Sequence, residues 1–184
     1  MNQRTLFHRT SVRASLLVAL AAGALSFFAC ASVPDETRYT QILAPDPAQF
    51  QAGVSFFLER RCGTLDCHGQ PGRPLRIYGA RGLRKQNDAS LTPISGDTSI
   101  EEIAANYRSV IGLEPEAMSR VVAAEGQLPE RLLIIRKPID IGEGGERHKG
   151  GAVISKGSDG YLCLTTWLSN RTNQQKCTDA ATAF

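Results

Sequence analysis

The sequence predicts a small, mainly α-helical domain with long loops. Three observations support this fold class: apolar residues recur at helical spacing in several segments, strand-like alternation is sparse, and the composition is ordinary for a globular protein. The chain has 184 residues, of which 42% are hydrophobic and 21% charged. We expect one domain over residues 46–177 and a C-terminal tail over 178–184. Long loops are unusual in so small a domain, so we expect disulfides or a buried cofactor to hold them.

The first 30 residues predict a signal peptide. Three arginines and no acidic residue precede an apolar run over 15–29, and that run is shorter than the roughly 20 residues of a membrane-spanning helix. Cys30 then fits the lipidated first residue of a bacterial lipoprotein. Alternatively, the small residues around Cys30 form an ordinary cleavage site, and Cys30 is lost with the leader. Either cleavage predicts export to the bacterial envelope, as a periplasmic or outer-membrane-anchored protein with a tether over 31–45.

The charge balance argues against nucleic-acid binding. Three of the 21 basic residues lie in the leader, so the remaining chain carries 18 basic and 18 acidic residues. A broad phosphate-binding face needs an excess of positive charge. The sequence also lacks a phosphate-binding glycine loop and a Gly-x-Ser-x-Gly nucleophile motif. These absences favour a binding or carrier protein over an enzyme.

Four segments predict helices. Asp46-Pro47 is typical of an N-cap followed by a first-turn proline, and apolar residues then follow at helical spacing to about Arg61. Residues 98–101 resemble a capping box, with Thr98 as cap and Glu101 as its partner. Pro115 predicts the start of a third helix, and a last helix is expected over about 158–169. The expected inward-facing residues are Phe50, Val54, Phe57 and Leu58; Ile100, Ile103, Ala104, Tyr107 and Ile111; Met118, Val121 and Val122; and Leu162, Leu164, Trp167 and Leu168.

The most specific chemical motif is Cys62-x4-Cys67-His68, at the end of the first predicted helix. Haem attachment through two thioethers, with the adjacent histidine on the iron, normally uses Cys-x-x-Cys-His. Two extra residues require a bulge between the cysteines, which Gly63 makes sterically cheap. The motif therefore predicts covalent haem binding in a variant form.

The order of motifs resembles the cytochrome-c-like modules of secreted bacterial proteins. The stretch 132–138 (LLIIRKP), the stretch 148–151 (HKGG) and the segment from Tyr161 to Trp167-Leu168 follow the Cys/Cys-His-Gly site in the order seen in that family. The departures are the four-residue spacer and Lys149 within the glycine run. The resemblance implies a cytochrome c-like helical domain carrying haem c.

A bound haem would take His68 as its proximal ligand by motif. His148, in a glycine-rich loop, is the preferred sixth ligand, and Met118 is the alternative. A local basic cluster is the expected partner of the haem propionates; it comprises Arg73, Arg76, Arg81, Arg84 and Lys85.

The cysteines leave alternatives open. Cys163 and Cys177 are expected to form a disulfide, because unpaired thiols are disfavoured in an oxidising compartment. Cys62 and Cys67 would form a second one if no haem is attached. A zinc site at Cys62, Cys67 and His68 is disfavoured, because no second cysteine pair exists.

The leading hypothesis is a secreted, lipid-anchored monohaem cytochrome-like protein that transfers electrons to an unidentified redox partner. The alternative is a cofactor-free, disulfide-stabilised envelope lipoprotein that acts as a binding or scaffold module.

Overall fold

The computed structural model describes residues 41–85 and 96–183. The predicted leader, Cys30 and most of the tether lie outside these residues. The helices form, in chain order, α1 (Pro47–Gln49, Phe50–Val54 and Ser55–Arg61 in one continuous run), α2 (Ile100–Ile111), α3 (Pro115–Ala123), α4 (Leu133–Arg136), α5 (Asp159–Leu168) and α6 (Gln174–Thr182). Two short 3₁₀ turns span Pro129–Arg131 and Ile141–Glu143.

The described residues confirm the mainly α-helical class. They contain no β-strand, and their only extended pairings are isolated bridges between Tyr78 and Leu83 and between Ile139 and Ile154. Within the same ranges, no helix combines the length and apolarity needed to cross a membrane.

Helix α1 begins as predicted. The carboxylate of Asp46 accepts hydrogen bonds from the N–H groups of Ala48 and Gln49, and Pro47 occupies the first turn. The predicted inward face of this helix is buried. The middle segment, Phe50–Val54, is a π-helix, which the apolar spacing did not indicate. Within it, Gly53 lies so close to Cys177 that an added Cβ would stand 3.2 Å from the Cys177 Cβ.

The disulfide between Cys163 and Cys177 is present and joins α5 to α6. Helix α6 packs against both α5 and α1. It continues past Cys177 to Thr182 and buries Ala180 and Ala181. The predicted tail over 178–184 is therefore corrected, since residues 178–182 belong to the helical domain.

The capping box of α2 is shifted by one residue from its predicted position. Ser99 is the N-cap, and Glu102 is the reciprocal partner. The buried face shifts with it: Ile100 is 67% exposed, whereas Glu102, Asn106 and Val110 are buried. Helix α3 starts at Pro115 as predicted and buries Met118 and Val121.

Polar side chains of α2 hold the long loop that follows α1. Asn106 accepts a hydrogen bond from the Tyr78 N–H at 2.7 Å and donates one to the Tyr78 carbonyl at 2.8 Å. Glu102 accepts the Lys85 N–H at 2.8 Å and two N–H groups of Arg84. The loop is thereby fixed by buried hydrogen bonds, which are costly to leave unmade.

Candidate functional site

The loop from Cys62 to His68 is closed by its own backbone. The His68 N–H donates to the Cys62 carbonyl at 2.8 Å, and the Cys67 N–H donates to the Thr64 carbonyl at 3.0 Å. Arg73 adds a hydrogen bond from its Nε to the Cys67 carbonyl at 3.0 Å. These bonds bring both ends of the four-residue spacer together, so the extra residues form a compact bulge.

Three glycines permit this closure. An added Cβ on Gly69 or on Gly82 would overlap the carbonyl oxygen of Gly63. Gly63 itself lies against Ile77 and the backbone of Glu59. Gly63 is therefore needed in the bulge because the chain packs too closely there for a side chain.

His68 is oriented by the chain that follows it. Its Nδ1 lies 2.8 Å from the Leu75 carbonyl, and the His68 carbonyl accepts the Ile77 N–H. A backbone acceptor at Nδ1 fixes the tautomer that leaves the Nε2 lone pair free for a metal. Burial lowers the pKa of His68, and nearby His148 and Arg73 lower it further, against an opposing hydrogen bond to Leu75. The imidazole is therefore neutral at pH 7, as a metal ligand must be.

His148 is oriented in the same way by a separate loop. Its Nδ1 lies 3.0 Å from the Gly151 carbonyl. Gly144 and Gly151 both have positive φ, at 87° and 75°, a conformation that favours glycine. The glycine-rich stretch thus folds back on itself and presents the imidazole.

The two imidazoles face each other. Their ring centroids are 6.0 Å apart, and the ring planes are within 9° of parallel. Each ring has its Nδ1 turned to a backbone carbonyl of its own loop, which leaves Nε2 as the nitrogen available to a ligand. The structure therefore brings the two sequence-predicted histidines together.

Both histidines line a cavity of about 450 Å³, a volume within the range of small-molecule and cofactor sites. Its walls are mostly apolar and come from α1, α4, α5 and the connecting loops. The apolar lining consists of Phe57, Leu58, Pro74, Leu75, Leu113, Leu133, Ile134, Pro138, Val153, Ile154 and Leu164. The cavity combines an apolar wall with two histidine side chains.

Cys62 and Cys67 line the same cavity and are not bonded to each other. Burial raises the pKa of the Cys62 thiol to about 12, and the neighbouring Cys67 raises it further against an opposing effect of Arg61. The second disulfide of the cofactor-free alternative is absent from the described residues.

Met118 and the expected basic cluster lie away from the cavity lining. Met118 is 2% exposed within the core and does not contribute to the cavity wall. Arg84 is engaged with Glu102, and Arg73 closes the cysteine loop. Arg81 borders a separate cavity of about 390 Å³ beside Glu59.

Four other cations line the histidine cavity: Arg61, Lys137, Arg147 and Lys149. Sequence reasoning did not identify them as site residues. The available signal was the tripeptide Arg147-His148-Lys149, in which two cations flank the predicted sixth ligand.

Within the described residues, no group of three or more His, Cys, Asp or Glu side chains is arranged to hold a metal ion. Comparison with protein-family models, curated proteins and solved structures finds no match to this chain.

Proposed function

We propose that this protein is a monohaem, c-type cytochrome-like electron carrier of the bacterial envelope. The observation that carries the proposal is the facing pair of His68 and His148, with ring centroids 6.0 Å apart in a cavity that also exposes Cys62 and Cys67. Two nitrogen ligands, two unpaired thiols and an apolar wall make up the donor set that a covalently held haem requires.

The residues divide the work of holding the group. His68 and His148 would hold the iron through their ring nitrogens, while the carbonyls of Leu75 and Gly151 fix their tautomers. Cys62 and Cys67 would hold the group covalently through thioether bonds. The apolar wall excludes water and lowers the local dielectric, which tunes the reduction potential. A bound haem supplies one-electron chemistry at its iron.

The proposal extends to location and partners on the sequence alone. The leader over residues 1–30 favours export, Cys30 favours a lipid anchor, and the electron would pass to an unidentified redox protein. The neutral charge balance of the remaining chain gives no support for nucleic acid as a partner.

The test is an absorption spectrum and an intact mass of the mature protein, expressed with and without a cytochrome c maturation system. We expect a Soret band and a mass increase of one covalent haem only with maturation. A Cys62→Ser/Cys67→Ser variant is the matched control and should lose the added mass. A colourless wild-type protein with unchanged mass would refute the proposal and favour the cofactor-free binding module.

A further inference from the structure

The histidine cavity has an unbalanced charge. Among residues 41–85 and 96–183, its lining includes Arg61, Lys137, Arg147 and Lys149, and no aspartate or glutamate. An anionic group that enters the cavity can form charge-assisted hydrogen bonds with these cations. The lining therefore fits an occupant that is apolar over most of its surface and anionic at one part.

Two of the four cations already have partners. Arg61 donates from Nη1 to the Ala183 carbonyl at 2.9 Å. Lys137 forms an ion pair with Glu146 at 3.1 Å and donates to the Arg147 carbonyl at 3.2 Å. These two side chains are committed to the protein itself.

The other two cations, Arg147 and Lys149, differ in this respect. No hydrogen bond or ion pair is made by either side chain within the part of the chain that the structure describes. They flank His148 in the loop that presents its imidazole. The loop is fastened at its base, because the Glu146 N–H donates to the Arg136 carbonyl at 3.1 Å and the Glu146 carboxylate pairs with Arg136. A fixed loop thus holds two unpaired cations at the cavity.

We infer that Arg147 and Lys149 bind the carboxylates of the cavity's occupant, so that residues 147–149 act as one recognition element. The inference rests on the proposed function, in which the occupant is a haem with two propionates. The imidazole of His148 would reach the iron, and the flanking cations would pair with the carboxylates. Charge-assisted hydrogen bonds of this kind are about twice as strong as neutral ones.

The experiment compares two porphyrins in the full mature chain carrying Cys62→Ser and Cys67→Ser, which prevents covalent attachment. The probes are iron protoporphyrin IX and its dimethyl ester, which lacks free carboxylates. We expect the diacid to bind roughly tenfold more tightly or better, since a hydrogen bond to a charged group contributes about 1.5–3 kcal/mol. Adding Arg147→Gln and Lys149→Gln should reduce this ratio towards one.

The control removes the same charge elsewhere. Arg108 and Arg131 are exposed and lie outside the cavity lining, so Arg108→Gln/Arg131→Gln should leave the porphyrin ratio unchanged. The exchange Arg147→Lys/Lys149→Arg retains both charges and should restore most of the ratio. Circular dichroism verifies the folding of each variant, and we expect Arg147→Gln/Lys149→Gln to fold because both side chains are exposed.

A second readout uses the covalently loaded protein. Losing two cations beside the propionates stabilises the ferric state, so the midpoint potential of Arg147→Gln/Lys149→Gln should fall and become more dependent on pH. An unchanged porphyrin ratio and potential would overturn the inference and leave the proposed function standing. That outcome, together with salt-sensitive electron transfer, would assign the two cations to docking of an acidic protein. If neither porphyrin binds and maturation adds no mass, both proposals fall together.

Discussion

The imidazole of His68 lies nearly parallel to that of His148 at a centroid distance of 6.0 Å, although the two residues come from loops distant in the chain. Each ring is held by a carbonyl of its own loop, Leu75 in one case and Gly151 in the other. Neither of these hydrogen bonds joins the loop of one histidine to the loop of the other. The facing arrangement is therefore set by the fold rather than by contact between the rings.

The roles of the two histidines can be separated by spectroscopy. In the haem-loaded protein, His148→Ala should keep the covalent group but lose the low-spin spectrum of two imidazole ligands. His68→Ala should abolish maturation or give a five-coordinate type of spectrum. Met118→Leu is the control, because Met118 is buried outside the cavity lining and the exchange conserves volume. An unchanged spectrum in His148→Ala would remove this residue as a ligand.

The close approach of Gly69 to Gly63 makes position 69 intolerant of a side chain. Gly69→Ala should destabilise the protein by about 1–3 kcal/mol, in the range of overpacked sites, because the added methyl group meets backbone. Gly72→Ala is a matched control three residues away, where an added Cβ has no neighbour within 4 Å. Urea unfolding of both variants measures the difference. Equal free energies of unfolding would show that the loop yields to a methyl group.

The ionisation of Glu102 makes the stability of the fold depend on pH. Burial alone raises the pKa of this carboxyl, but hydrogen bonds from Arg84 and from the N–H groups of Ser99 and Lys85 outweigh it and hold the pKa below the ordinary value of 4.5. A lowered pKa in the folded state adds stability above the unfolded value, and this stability is lost as pH falls through the folded value. Wild type should therefore weaken below about pH 4.5.

Glu102→Gln tests this sign. The variant should cost about 3 kcal/mol at neutral pH, as expected when one partner of a buried ion pair is removed. The difference from wild type should shrink as the pH falls below about 4.5, since wild-type Glu102 is then protonated. Chemical unfolding at several pH values measures it. A difference that stays constant with pH would mean that the charge of Glu102 has no part in stability.

The disulfide between Cys163 and Cys177 closes a short loop between two packed helices. Cys163→Ala/Cys177→Ala should lower the free energy of unfolding by about 3 kcal/mol, the value for a loop of about 15 residues. A reductant should destabilise wild type and leave this variant unchanged. In apoprotein with Cys62→Ala/Cys67→Ala, the reductant should act as it does on wild type. If the reductant no longer destabilises the Cys62→Ala/Cys67→Ala protein, the stabilising disulfide would instead be the one between Cys62 and Cys67.

Apolar spacing predicted the helices well where one face is uniformly apolar. Phe50, Val54, Phe57 and Leu58 are all buried in α1 as expected. For α2 the spacing was right in part, since Ile103, Tyr107 and Ile111 pack against the core. It did not indicate that Glu102 and Asn106 are buried to bind the backbone of the preceding loop. A pattern that assigns polar residues to solvent cannot anticipate polar side chains that serve as a loop's hydrogen-bonding partners.

The sequence motifs singled out His68 and His148, and the structure places both at one cavity. The basic cluster expected to meet propionates lies outside the lining of that cavity. Within this cluster, Arg84 pairs with Glu102 and Arg73 closes the cysteine loop. Composition identifies a basic cluster, but only the path of the chain decides whether its charges face a cavity or a buried carboxylate.

The junction just before α1 is fastened by two aromatic side chains. Tyr107 donates its hydroxyl to the Pro45 carbonyl at 2.8 Å, and Trp167 donates Nε1–H to the Asp46 carbonyl at 3.1 Å. The backbone just before α1 is therefore held by α2 and α5 as well as by α1 itself, and loss of either aromatic side chain would remove one of these two attachments.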